Sequence, residues 1–235
     1  MKLEVCCGNM ASVKAAIEGG ADRIELCRDL ELDGLTPSQD TIREAVGLCH
    51  PAGLLVHVLI RSREGNFVYD DTEVEKMAQE ISMAVDEGVD GIVIGALTPD
   101  GDIDVDACRR WIDVVRLANG TLRCNVTFHR AFDVCRNPLA AIEQIARLGC
   151  NRILTSGQQP SAEKGIPLLK QLVQRAKEIY AKTGHEFHIL CGAGVNTHNA
   201  NIILKKTGAT EIHGSLRTGL VSDATKIRQV KSAIS

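Results

Sequence analysis

Two tetrapeptides near the start of the chain hold the residues best suited to chemistry. Leu3-Glu4-Val5-Cys6 and Ile24-Glu25-Leu26-Cys27 share one order of apolar, Glu, apolar and Cys. On a β-strand successive side chains alternate faces. Leu3 and Val5 therefore point one way and Glu4 and Cys6 the other; Glu25 and Cys27 likewise oppose Ile24 and Leu26. The stretch from Asn9 to Gly20 fits one helix and a Gly-Gly turn, which makes the two strands parallel neighbours. Two carboxylates and two thiols then crowd one face. Carboxylates can pass protons. Two thiolates suit Cu(I), with a histidine as a further ligand, whereas zinc would need Glu25 or a histidine to complete its set.

Phe128-His129-Arg130-Ala131-Phe132-Asp133 is the sharpest single motif. It ends a strand ahead of a helix start at Asn137-Pro138. His129 is a candidate acid, base or ligand, and Asp133 can orient its ring or Arg130. A rim salt bridge that fixes the loop is the structural alternative. Arg61 and Arg63 flank Ser62 at the end of another strand and can hold an anion. Two turns of small residues, Leu154-Thr155-Ser156-Gly157 and Cys191-Gly192-Ala193-Gly194-Val195, offer backbone N–H groups to a ligand, as tight turns also would without one. His57 lies deep in its strand and reads as a hydrogen-bonded core residue. Glu4, Glu25, Arg61 and Arg130 could also satisfy one another as a buried ion network.

Short apolar runs alternate with amphipathic helical stretches along the whole chain. Strands are expected at Lys2–Cys6, Arg23–Cys27, Leu54–Arg61, Gly91–Gly95, Asn125–His129, Arg152–Ser156, His188–Gly192 and Glu211–Gly214. Ser38, Ser161 and Ser222 are expected helix caps, and Thr72 with Glu75 reads as a capping box. Eight strand–helix units of roughly 30 residues fit a single-domain (β/α)8 TIM barrel spanning residues 1–235. An open doubly wound sheet competes, but no G-x-G-x-x-G follows the first strand. In a barrel the strand alternation turns Glu4, Cys6, Glu25, Cys27, His57, Leu59, Arg61, Thr127, His129, Glu211 and His213 inward, with Cys6, Cys27, Arg61, His129 and His213 near the end where barrel sites gather and Glu4 and Glu25 just below.

Composition narrows the choice. The formal net charge is −3 and aromatic residues make up 3% of the chain, which leaves neither a basic field nor stacking platforms for nucleic acid. No apolar run approaches a membrane span, and the chain opens on a strand without a secretory pattern. Nine cysteines are an odd number without a disulfide or zinc-ribbon spacing, so they read as reduced thiols of a cytoplasmic protein.

These segments together resemble the CutC family of copper homeostasis proteins. The resemblance runs through Glu4-Val5-Cys6, the block Gly19 to Cys27, Gly34-Leu35-Thr36-Pro37-Ser38, Ile60-Arg61 ahead of Phe67-Val68-Tyr69, Gly95-Ala96-Leu97-Thr98 with Asp100-Gly101, Phe128 to Asp133, Leu154 to Gly157, and Glu211-Ile212-His213. It implies a TIM barrel, a homodimer or homotetramer, a cytoplasmic setting that extends to the nucleus in a eukaryote, and Cu(I) held by Cys6 and Cys27. No nucleotide cofactor is implied. Two departures stand out. The family's glycine triplet is Gly192-Ala193-Gly194 here, and the passage after His213 to the last helix is expected to be short, leaving the mouth open or closed by a neighbouring subunit.

Two functions compete. One is copper handling through Cys6 and Cys27. The other is a metal-independent enzyme acting on a small anionic metabolite. In it Glu25, His129 and Asp133 form the catalytic set, while Glu4, Arg61, Arg130, Ser156, Gly192, Gly194 and His213 bind substrate.

Overall fold

The computed structural model describes residues 1–235. Eight parallel strands close into a barrel in chain order. They are β1 Lys2–Cys7, β2 Arg23–Leu26, β3 Leu55–Leu59, β4 Gly91–Ile94, β5 Asn125–Phe128, β6 Arg152–Thr155, β7 His188–Cys191 and β8 Glu211–Gly214. Eight helices surround them: α1 Met10–Gly19, α2 Gln39–Cys49, α3 Asp71–Asp86, α4 Val105–Val114, α5 Pro138–Leu148, α6 Ile166–Thr183, α7 Ala200–Thr207 and α8 Ala224–Ile234. The ring closes where β8 pairs with β1, Lys2 opposite Glu211 and Glu4 opposite His213. This is the expected TIM barrel. None of its helices is long and apolar enough to cross a membrane.

All eight expected strands form, several of them shorter than their apolar runs. β3 stops at Leu59, so Arg61 stands just beyond the sheet, and Cys27 and His129 likewise follow the last paired residues of β2 and β5. Helix starts follow side-chain chemistry. Asn9 accepts from the Ser12 amide ahead of α1, Ser38 from Thr41 ahead of α2, and Asn137 from Ala140 ahead of α5.

Three expected caps are corrected. The capping box of α3 is Asp70 with Glu73, because the helix begins two residues earlier than Thr72 with Glu75 requires. Ser161 accepts from Lys164 in a separate turn, and α6 starts after Gly165. Asp223 rather than Ser222 caps α8, since its carboxylate reaches the amides of Thr225 and Lys226.

Alternation divides the interior into two layers. Leu3, Val5, Ile24, Leu26, Val56, Val58 and Ile60 join the core between sheet and helices. Cys6, Cys27, Leu59 and Val93 form a separate small cluster inside the barrel. The final connection does not run bare to the last helix. Strands β9 Arg217–Thr218 and β10 Val221–Ser222 pair antiparallel. That hairpin is tied to the start of α1, with Asn9 donating to the Leu220 carbonyl and the Ser222 amide to Ser12 Oγ.

Candidate functional site

Cys6 and Cys27 meet inside the barrel with their sulfurs 4.0 Å apart. Cys6 pairs with Glu25 in the β1–β2 ladder, so Cys27, two residues on, is its diagonal neighbour. Both thiols are buried and reduced, as are all nine cysteines. Cys6 faces a cavity of about 460 Å³ at the C-terminal ends of the strands. Cys27 does not line it. Gly34 covers this sulfur, and a Cβ added there would lie 3.3 Å from Cys27 Sγ and 2.8 Å from Leu59 Cδ2. The hydrogen bond that the protonated Cys6 thiol makes with Cys27, and then burial, push Cys6 well above its ordinary pKa.

His213 sits beside Cys6. Its Nδ1 is 2.8 Å from Glu4 Oε1, and its Nε2 is 3.7 Å from Glu25 Oε2. Burial opposes a charge on this ring. The Glu25 carboxylate, the Cys6 contact and Glu4 outweigh it and raise the histidine well above its usual pKa. Burial also raises Glu25, with His213 opposing. Ligand atoms of Cys6, Glu25 and His213 all lie within 4.8 Å of one another. This mixed sulfur, oxygen and nitrogen set, with a second thiol behind it, fits a soft or borderline metal ion.

A buried ion network does form and includes Glu4 as expected, but with Arg23, Arg152 and Glu211 in place of Glu25, Arg61 and Arg130. Arg23 donates to Glu4 and to Glu211 at 2.7 Å, and Arg152 reaches Glu211 at 3.1 Å. Burial opposes ionisation of Glu4, yet Arg23 and then His213 hold it well below the usual carboxylate range. Arg23 and Arg152 hold Glu211 at about 2 despite its burial. Arg23, absent from the expected set, shares the strand face of Glu25, so the same alternation turns it inward. His57 lies beneath, fully buried, and neither ring nitrogen has a hydrogen-bond partner, so it is not the bonded core histidine expected. Burial and then Arg23 push it down to about 3.

The motif after β5 separates into two parts. His129 lines the cavity, and its Nδ1 accepts from the Ala131 amide at 3.1 Å. Burial and then Arg61 lower it to about 3, so the ring is neutral with its proton on Nε2. Asp133 binds Arg130 Nε at 2.7 Å, Thr155 Oγ1 at 2.5 Å and the Ser156 amide at 3.0 Å. It orients Arg130 and the loop after β6, and makes no bond to His129. This is the rim salt bridge that competed with a catalytic reading.

The remaining expected residues scatter. Arg61, Arg130 and Gly194 line the cavity, while Glu4, Ser156 and Gly192 do not. Ser156 turns its hydroxyl to the Gln159 carbonyl at 2.5 Å. Leu154 packs over Gly192, leaving only 2.6 Å for an added Cβ. Ala193 takes φ 78°, a left-handed conformation usually left to glycine, so the turn keeps its course with a methyl group at its centre. Arg61 binds carbonyls instead of carboxylates: Nη1 donates to Leu32 and Gly34, and Nη2 to Gly65.

The arrangement is a polar barrel mouth with one thiol at its wall and a second behind it, a charged histidine and a neutral one, and it has counterparts in known proteins. The model of the CutC family matches residues 1–218. The family protein CutC of Pasteurella multocida is 45% identical over 213 residues, covering 91% of this chain and 81% of the relative. That of Bacteroides thetaiotaomicron is 44% identical over 222 residues, 94% of this chain and 83% of its own. The crystal structure of CutC from Streptococcus agalactiae, named for copper homeostasis, superposes with a TM-score of 0.81 at 33% identity, covering 92% of this chain and 98% of that one. With the barrel, the thiol pair and these matches over most of its length, the chain belongs to the CutC family.

Proposed function

We propose that this protein handles copper in the cytoplasm, binding Cu(I) between Cys6 and Cys27. The carrying observation is the 4.0 Å separation of two buried thiols. Metal–thiolate bonds of about 2.3 Å would span it at an angle near ~120°, which leaves room for a third ligand. His213, adjacent to Cys6, is the candidate for that place. Softness favours Cu(I): two thiolates and an imidazole match it better than they match hard cations. Nine reduced cysteines accord with a reducing compartment. The copper homeostasis named for the Streptococcus agalactiae relative points the same way. Homo-oligomerisation, a homodimer or homotetramer, belongs to this reading too.

Both thiols, and the His213 imidazolium as third ligand, must lose protons to bind, so loading releases protons and strengthens as pH rises. The test is an anaerobic Cu(I) titration against a competing chelator, with native mass spectrometry reporting stoichiometry and assembly. One tight copper per chain is expected, lost in Cys6→Ser/Cys27→Ser. Undiminished binding by that double variant defeats the proposal.

A further inference from the structure

The same cavity holds a cation that the copper reading leaves unused. Arg61 is 4% exposed and pairs with no carboxylate. Three carbonyls take its terminal nitrogens, and its Nε has no partner. A buried charge without a counter-ion is costly. Other charges at the mouth are matched or exposed. Arg130 is bound to Asp133 and His213 lies against Glu4 and Glu25, while Asp33 and Arg217 stand at the exposed rim.

His129 supplies a second unused donor. It is 5% exposed, its Nδ1 is taken by the Ala131 amide, and Nε2 has no partner. Both groups pack on Phe67: the Arg61 guanidinium carbon is 5.3 Å from that ring's centroid, and the His129 centroid is 5.0 Å from it. All three residues line the cavity. The geometry points to a binding site in this cavity for a small organic anion, recognised by Arg61 and His129, whose covered free nitrogens, Nε and Nε2, turn toward the carboxylate or phosphate oxygen on binding. The anion supplies the missing counter-charge, and the aromatic wall excludes water from the contact, which strengthens it. The neutral state of His129 suits it to donate a hydrogen bond while remaining uncharged beside Arg61. This site is independent of the cysteines and does not rest on copper binding.

The probes are glycerol 3-phosphate for the phosphate arm, malonate for the carboxylate arm, and glycerol as the uncharged control. Isothermal titration is read together with the His129 Nε2–H resonance in nitrogen-edited NMR. At least one anion is expected to bind saturably and move that resonance, while glycerol does neither. Arg61→Met should weaken binding at least about tenfold. Because Arg61 also ties three loop carbonyls, His129→Phe is the second variant; it removes the donor while keeping a ring against Phe67, and should weaken binding as well. Cys6→Ser/Cys27→Ser should bind the anion as the wild type does, whatever becomes of copper. The proposal is overturned if neither anion binds and moves the His129 resonance, if glycerol matches them, or if folded His129→Phe binds with unchanged affinity.

Discussion

Glu4 and His213 are direct partners across the seam that closes the barrel, and the carboxylate Oε1 lies 2.8 Å from the ring Nδ1. One contact thereby joins the first strand to the last and presents Nε2 toward Cys6 and Glu25. Glu4 stays outside the cavity, so its part in the site is to position and charge the histidine.

Glu4→Gln keeps the size of that side chain and removes its charge. The His213 imidazolium then loses one of its supports, so its pKa should fall. A pH titration of the ring by NMR reads this directly. An unchanged midpoint would assign the whole effect to Glu25 and Cys6.

Acid stability follows from the two histidines held at about 3, His57 and His129. Both remain neutral in the folded chain while the unfolded chain protonates them near the ordinary value of about 6.5. Below that point the unfolded state binds more protons, so stability falls as pH drops toward 3. Each histidine contributes about 1.4 kcal/mol per pH unit, so the pair should cost about 2.7 kcal/mol per unit within that window. His213, protonated in both states there, does not offset the loss, whereas Glu25, raised by burial, takes up its proton earlier in the fold and offsets part of it. Urea midpoints at about pH 7 and about pH 5 should differ accordingly, with a smaller difference in His129→Phe. A midpoint difference left unchanged by His129→Phe would mean that this ring is charged in the fold.

Arg23 should be the most sensitive charged residue. It bridges Glu4 and Glu211 inside the barrel, with almost no exposure. Arg23→Met leaves two buried carboxylates short of a cation, a loss of about 3–5 kcal/mol. Arg43→Met, which breaks a solvent-screened exposed pair with Glu87, should cost far less. Denaturant titration of both variants separates a structural network from general charge loss. Similar costs would contradict the network's role.

Strand alternation made much of this architecture legible in advance. The inward set of Glu4, Cys6, Glu25, Cys27, His129 and His213 follows from period-two geometry alone, because barrel strands bury both faces and leave little freedom to flip. Partners were harder to read. Arg61 was expected near an anion or a buried carboxylate, and its loop contacts to Leu32, Gly34 and Gly65 depend on how three segments fold over it. Asp133 spans from the end of β5 to the loop after β6, a tertiary contact with no local signature. The hairpin at Arg217–Ser222 is likewise too short to carry a periodic pattern.

Gly34 tests whether the cover over Cys27 matters. Its φ is +83°, so alanine there is strained in the backbone, and its methyl would also press on Leu59 and Cys27. Gly53 has φ +76° with nothing within 4 Å of an added Cβ. Gly53→Ala therefore measures the backbone cost alone, about 1 kcal/mol. Gly34→Ala should cost about 1–3 kcal/mol more, because close contacts must also shift. The sulfur pair is part of what must shift, so Gly34→Ala should weaken Cu(I) binding while Gly53→Ala leaves it unchanged. Thermal unfolding gives the first comparison and chelator competition the second. A Gly34→Ala protein that loses stability yet binds Cu(I) normally would place the metal away from Cys27.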